Sequence, residues 1–156
     1  MVSRTGFIII CLCLVSAASY AAGLTTGFSE VTLEGLGPGK GYSTQEVVGL
    51  PLTVVNTGEE PVDLKMELLM PDMSELKEGF EPIPDLAWIR LEKQEFKEIQ
   101  PNEAATTDVV ISIPPDEQYQ GKKFQVFIWT HTIGEKIGVG LKSKLLFTIA
   151  REQTAK

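Results

Sequence analysis

Lys123-Phe-Gln-Val-Phe-Ile-Trp-Thr-His131 decides how the rest of the chain is read. Its density of β-branched and aromatic residues is that of a strand. Phe124, Val126 and Ile128 make one apolar face, and Phe127 and Trp129, with His131, make a second that is also largely apolar. A strand apolar on both faces is covered on both sides, which predicts a central place in a sheet.

Working outward, the flanking segments read as short strands able to pair beside this one or stack over it. Phe28 to Glu34 alternates as a first strand, and Val47 to Asn56 as a second with Val48, Leu50, Leu52 and Val54 on one face. Val62 to Met70 is the cleanest: Val62, Leu64, Met66, Leu68 and Met70 point in, and Asp63, Lys65 and Glu67 point out. Leu86 to Leu91, Phe96 to Ile99 and Thr106 to Ile113 follow, and Val139 to Ile149 closes the set. Between them stand turns: Gly35 to Gly41, Asn56-Thr-Gly-Glu-Glu-Pro61, Gln100-Pro-Asn-Glu103 and Asp116 to Gly121. One connection is long. Pro71 to Asp85 carries three prolines and five acids, with Ser74 to Glu78 able to make one helical turn, and reads as a solvated loop. Seven to eight strands at short spacing, with no amphipathic helix of three turns, predict an all-β fold: an immunoglobulin-like antiparallel β-sandwich.

The chain has 156 residues. Arg4 precedes an apolar run from Phe7 to Val15, and small residues follow at Ser16-Ala-Ala-Ser-Tyr-Ala-Ala22. That is the layout of a secretory signal peptide cleaved after Ala21, and the run is short for a membrane span, which needs about 20 residues. The expected organisation is a signal peptide at residues 1–21, an N-terminal segment at 22–27, the sandwich at 28–150 and a polar tail at 151–156. Both cysteines, Cys11 and Cys13, fall within the leader, so the mature chain has no disulfide to lean on. Removing the leader leaves 13 basic against 21 acidic residues, a net charge of −8. Such a domain is repelled by phosphate backbones and anionic lipid, so nucleic acid is not expected as a partner. No later segment is apolar enough for a transmembrane helix.

The usual chemistries lack their residues. One histidine and no mature cysteine leave out cysteine catalysis and the Cys/His metal sets. A Ser-His-Asp triad through His131 has no Gly-x-Ser-x-Gly elbow to go with it. Gly35 to Gly41 falls short of a phosphate loop: the spacing is one residue out, and Gly41 follows Lys40 where Ser or Thr is required. The carboxylates at Asp72, Glu75 and Glu78, and at Glu59, Glu60 and Asp63, do not follow a calcium loop. Neither an enzyme nor a cofactor is expected. Aromatic side chains favour interfaces, so Trp88, Phe127, Trp129 and His131 are the candidate interaction surface, with a second core layer as the competing reading for the aromatics.

Asn56-Thr-Gly58, Glu60-Pro-Val-Asp-Leu64, Trp88, the turn at Pro101-Asn-Glu103, Ile111-Ser-Ile-Pro-Pro115 and Gly121 form a series. In it the chain resembles exported bacterial immunoglobulin-like domains of the pilus-chaperone-like type. It is similar also to the first domain of the WxL-interacting cell-surface proteins. The resemblance runs from about Phe28 to Ile149 and is one of fold. Both families continue into a second domain, and the WxL-interacting proteins into a membrane anchor, which this sequence does not show; no binding residue carries over. The resemblance and the leader imply a non-catalytic interaction or structural module, binding a protein partner in the periplasm or at the cell surface. The alternatives are a fibre subunit joined by strand exchange through Gly23 to Glu30, and a carbohydrate-binding module.

Overall fold

The computed structural model describes residues 23–134 and 138–152; the leader at 1–21 lies outside them. Two layers of strands face each other across an apolar core. One layer is a six-stranded sheet built on β11 (Lys123–Ile133), with β12 (Gly140–Ile149) on one side and β5 (Val62–Leu69) on the other. β2 (Glu30–Leu36) lies beyond β12, paired in parallel, and β8 (Glu95–Ile99) lies beyond β5. A two-residue β6 (Glu81–Pro82) runs parallel to Phe124 and Gln125. The predicted central strand is central.

The facing layer is interrupted. β3 (Gly41–Ser43) and β4 (Leu52–Asn56) pair antiparallel with β10 (Val109–Ser112) and β9 (Ala104–Thr107), respectively. β1 (Leu24–Thr26) edges β4, and β7 (Ile89–Leu91) edges β10. The twelve segments are therefore fewer strands in effect. β1/β2, β3/β4 and β9/β10 are each one strand broken by a switch or an excursion, which leaves eight and the short β6.

The excursion corrects the second strand. Val47 and Val48 end a short helix, α1 (Thr44–Val48), and Val47, Val48 and Leu50 are exposed; the strand starts only at Leu52. Ser43 Oγ accepts the Glu46 N–H, and Gly49 takes a left-handed φ of 68° that closes the turn. Asp108, between β9 and β10, holds the other side: it accepts from Ser43 Oγ, from the Gln45 N–H at 3.2 Å and from the Val109 N–H at 2.9 Å. Burial pulls the Asp108 carboxyl up, but these donors together hold it below the ordinary 3.8.

The inward sets on β5 and β11 are otherwise as expected, and β10 and β12 add theirs. Val62, Leu64, Met66, Val109, Ile111, Phe124, Val126, Ile128, Leu145, Phe147 and Ile149 share one core. Met70 is the exception, exposed just past the end of β5. Asn56, fully buried, ties the turns at one end: its amide donates to the carbonyls of Glu60 (2.8 Å) and Ile99 (3.0 Å), and its carbonyl accepts the Gly58 N–H.

Candidate functional site

The outer face of β11 presents Gln125, Phe127, Trp129 and His131 away from the core. Phe127 and Leu146, which lies opposite Gln125, are buried without belonging to the central cluster. Their cover is the long connection after β5. It is not a free solvated loop; it folds back over the sheet as a strap. Gln125 is its clamp, 0% exposed: Oε1 accepts the Lys77 N–H at 2.8 Å and Nε2 donates to the Glu75 carbonyl at 2.9 Å. Ion pairs pin the margins, from Lys142 to Glu75 (2.7 Å), Lys77 to Glu30 and Lys122 to Glu81 (2.9 Å). Met73–Glu75 forms the single turn foreseen nearby, closed by the Asp72 N–H on the Glu75 carboxylate.

The strap stops short of Trp129. Phe127 is 7% exposed, with the Lys142 ammonium 5.1 Å from its ring centre; Trp129, one repeat along, is 36% exposed. Trp129 is nonetheless fixed. Its ring stacks on His131 at 4.0 Å between centroids and 24° between planes. His131 Nε2 lies 2.7 Å from Glu67 Oε2, and the other Glu67 oxygen meets Lys65 at 2.8 Å. Lys65 first, and His131 second, hold the Glu67 carboxyl below the ordinary 4.5. Gly140 makes room for the ring: a Cβ there would lie 2.7 Å from the indole nitrogen.

Of the four candidate residues, the structure brings Phe127, Trp129 and His131 together and removes Trp88. Trp88 is 8% exposed and packs edge-on against Tyr119 (4.8 Å) and Phe124 (5.6 Å) in the core. A 3₁₀ turn, Leu86–Trp88, capped by Asp85 on the Ala87 N–H, swings it inward ahead of β7. Gly140, Glu67, Lys65 and Lys142 complete the face. The cross-strand register that places them needs the pairing of β5, β11 and β12, which no single segment states. Among the described residues there is no group of three or more His, Cys, Asp or Glu able to hold a metal, and no helix is long and apolar enough to cross a membrane.

No family model matches the sequence, and no curated protein matches it. Solved structures do match in fold. A PapD-like domain of human CEP192 superposes with a TM-score of 0.59 over 97% of this chain and 100% of that one, at 12% identity. The class 5 fimbriae chaperone CfaA gives 0.53 at 9% identity, covering 86% of this chain and 59% of its own. A putative carbohydrate-binding protein from Bacteroides ovatus gives 0.61 at 10% identity, over 81% of this chain and 37% of that one. The chain thus spans about three fifths of the length of the chaperone (59%) and just over a third of the Bacteroides protein. At these identities the likeness is one of fold: this is an immunoglobulin-like β-sandwich that resembles PapD-like and pilus-chaperone domains in architecture.

Proposed function

We propose that the mature chain is a non-catalytic, exported interaction module that binds a protein partner, in the periplasm or at the cell surface, over the open half of the strapped face. One observation carries this reading. Trp129 is left 36% exposed while the strap covers its neighbour Phe127, yet its ring is stacked on His131, which Glu67 holds in turn, in the space that Gly140 leaves. A large side chain already ordered loses little freedom on contact, which is why such residues act as anchors. Another structure of this fold contains the SafA pilin of Salmonella enterica in complex with the SafB chaperone, which supports a protein as the partner class. Export rests on the leader-like sequence at 1–21.

A benzophenone-bearing phenylalanine in place of Trp129, which keeps a large aromatic side chain there, with one in place of the exposed Glu117 as control, tests the reading in cells that export the chain. The expected result is a discrete protein adduct from position 129 alone, competed by the unmodified chain and not by Trp129→Ala. Equal adducts from both positions, or none from 129, contradict it. Glycan-array retention that depends on Trp129, without protein adducts, would replace it with the carbohydrate reading.

A further inference from the structure

The sheet has a gap one strand away from Trp129. β8 pairs with β5 only from Val62 to Lys65, with a last bond from the Met66 N–H to the Gln94 carbonyl at 2.8 Å. The chain N-terminal to Gln94 lies in the other layer. There the Lys93 N–H donates to Thr107 Oγ1 at 2.8 Å and the Glu92 N–H to the Asp108 carbonyl at 3.1 Å. Antiparallel ladders alternate, so the N–H and C=O of Leu68 point to the same edge as those of Met66. Among the described residues no strand pairs with that edge past Met66, and the remaining three residues of β5 leave about 10 Å of it. Under that edge lies a hollow lined by Lys65, Glu67, Leu68, Leu86, Ala87 and Gln94. Its floor is apolar at Leu68 and Leu86, and its outer lip is Glu67, the residue opposite Trp129.

We propose that this gap is where the partner docks an extended segment, adding a strand to the β5 edge beside Leu68. The inference deepens the reading above by naming the shape and chemistry of what is bound. An added strand takes up the Leu68 backbone groups, and its alternate side chains fall on the two faces of the sheet. The inward one meets Leu68, Leu86 and Ala87, so it is apolar. The outward one stands beside Glu67, whose two oxygens each keep acceptor capacity beyond Lys65 and His131. It is therefore a cation, in keeping with the net charge of −7 on the chain. Apolar-in, basic-out alternation is the recognisable signature. The neighbouring indole then lies on the same outward face, so the strand and the aromatic anchor belong to one footprint.

The test uses residues 22–156, labelled with ¹⁵N, and a capped peptide of about seven residues alternating lysine and valine at about 1 mM. The expected result is a shift of the Leu68 amide and an exchange rate slowed about tenfold. The effect disappears in Ala87→Trp, which fills the hollow from an exposed position, and with a peptide N-methylated along one edge. An unchanged Leu68 amide overturns the proposal. So does equal binding of a peptide with its lysines and valines in two blocks, which would mark a response to charge alone. A shift confined to the Trp129 indole N–H overturns the strand addition while leaving the aromatic face as the site. Loss of the position-129 adduct with the Leu68 response intact does the reverse.

Discussion

Trp88 is walled in by Tyr119 and Phe124, whereas Trp129 has His131 stacked on its ring and is 36% exposed. Truncating them separates packing from recognition. Trp88→Ala is expected to cost about 3–5 kcal/mol in urea unfolding, since it empties a filled site in the core. Trp129→Ala is expected to cost about 1 kcal/mol or less and to remove partner capture. The reverse ordering would put Trp129 in the core and end its role as an anchor. At this scale the sequence was half legible. Alternation along β11 places Phe124, Val126 and Ile128 on the inner face and Phe127, Trp129 and His131 on the other. It says nothing of what covers either face, and Trp88 lay in a segment too short for periodicity to assign a side. Gly140 had no signal at all, because its use is to leave space for a residue on another strand.

The strap and α1 are the elements that read least well from sequence, for different reasons. The strap's composition is that of a solvated loop. What orders it is Gln125, a polar residue in the middle of an apolar strand, whose amide satisfies the strap's own backbone at Lys77 and Glu75. Gln125→Ala strips both of those partners at a buried position and is expected to cost about 2–3 kcal/mol. It is also expected to speed hydrogen exchange at Lys77 well before the sheet itself opens. Unchanged protection at Lys77 would mean that the ion pairs alone hold the strap. For α1 the signal was present and overridden by alternation: Ser43-Thr-Gln-Glu46 is a capping pattern, and Gly49 with Pro51 is a stop. Val48 and Leu50 continue the two-residue rhythm of β4, so the strand reading ran two turn signals too far.

Among the described residues the groups held off their ordinary values are five carboxylates and Lys65, which its pairing with Glu67 holds up. Glu30, Asp63, Glu67, Glu75 and Asp108 are all held below their ordinary values by hydrogen-bond donors and lysines. A depressed carboxyl adds stability above its unfolded pKa and loses it as pH falls through the folded one. Stability is therefore expected to be level from about pH 5 up to the lysine range, where the raised Lys65 loses its share, and to fall progressively below the ordinary values of 4.5 and 3.8. In about 0.5 M salt the exposed pairs contribute less, whereas Asp108 is tied mainly by hydroxyls and backbone N–H groups. Asp108→Asn is thus expected to flatten the acid limb in high salt more than Glu30→Gln does. Equal flattening would place the pH dependence in surface charge. The fold class was legible at this scale because strand spacing and turn chemistry repeat along the chain. The switch of the chain between layers at Gln94, which opens the β5 edge, was not, because it depends on where β8 stops pairing.

Acrylamide quenching of the two single-tryptophan variants, Trp88→Phe and Trp129→Phe, of residues 22–156 tests the central claim without any ligand. The expected result is a red-shifted Trp129 quenched several-fold more readily than a blue-shifted, protected Trp88. Equal protection of both would mean that the strapped face is closed over Trp129, and with it the anchor and the partner reading would fall.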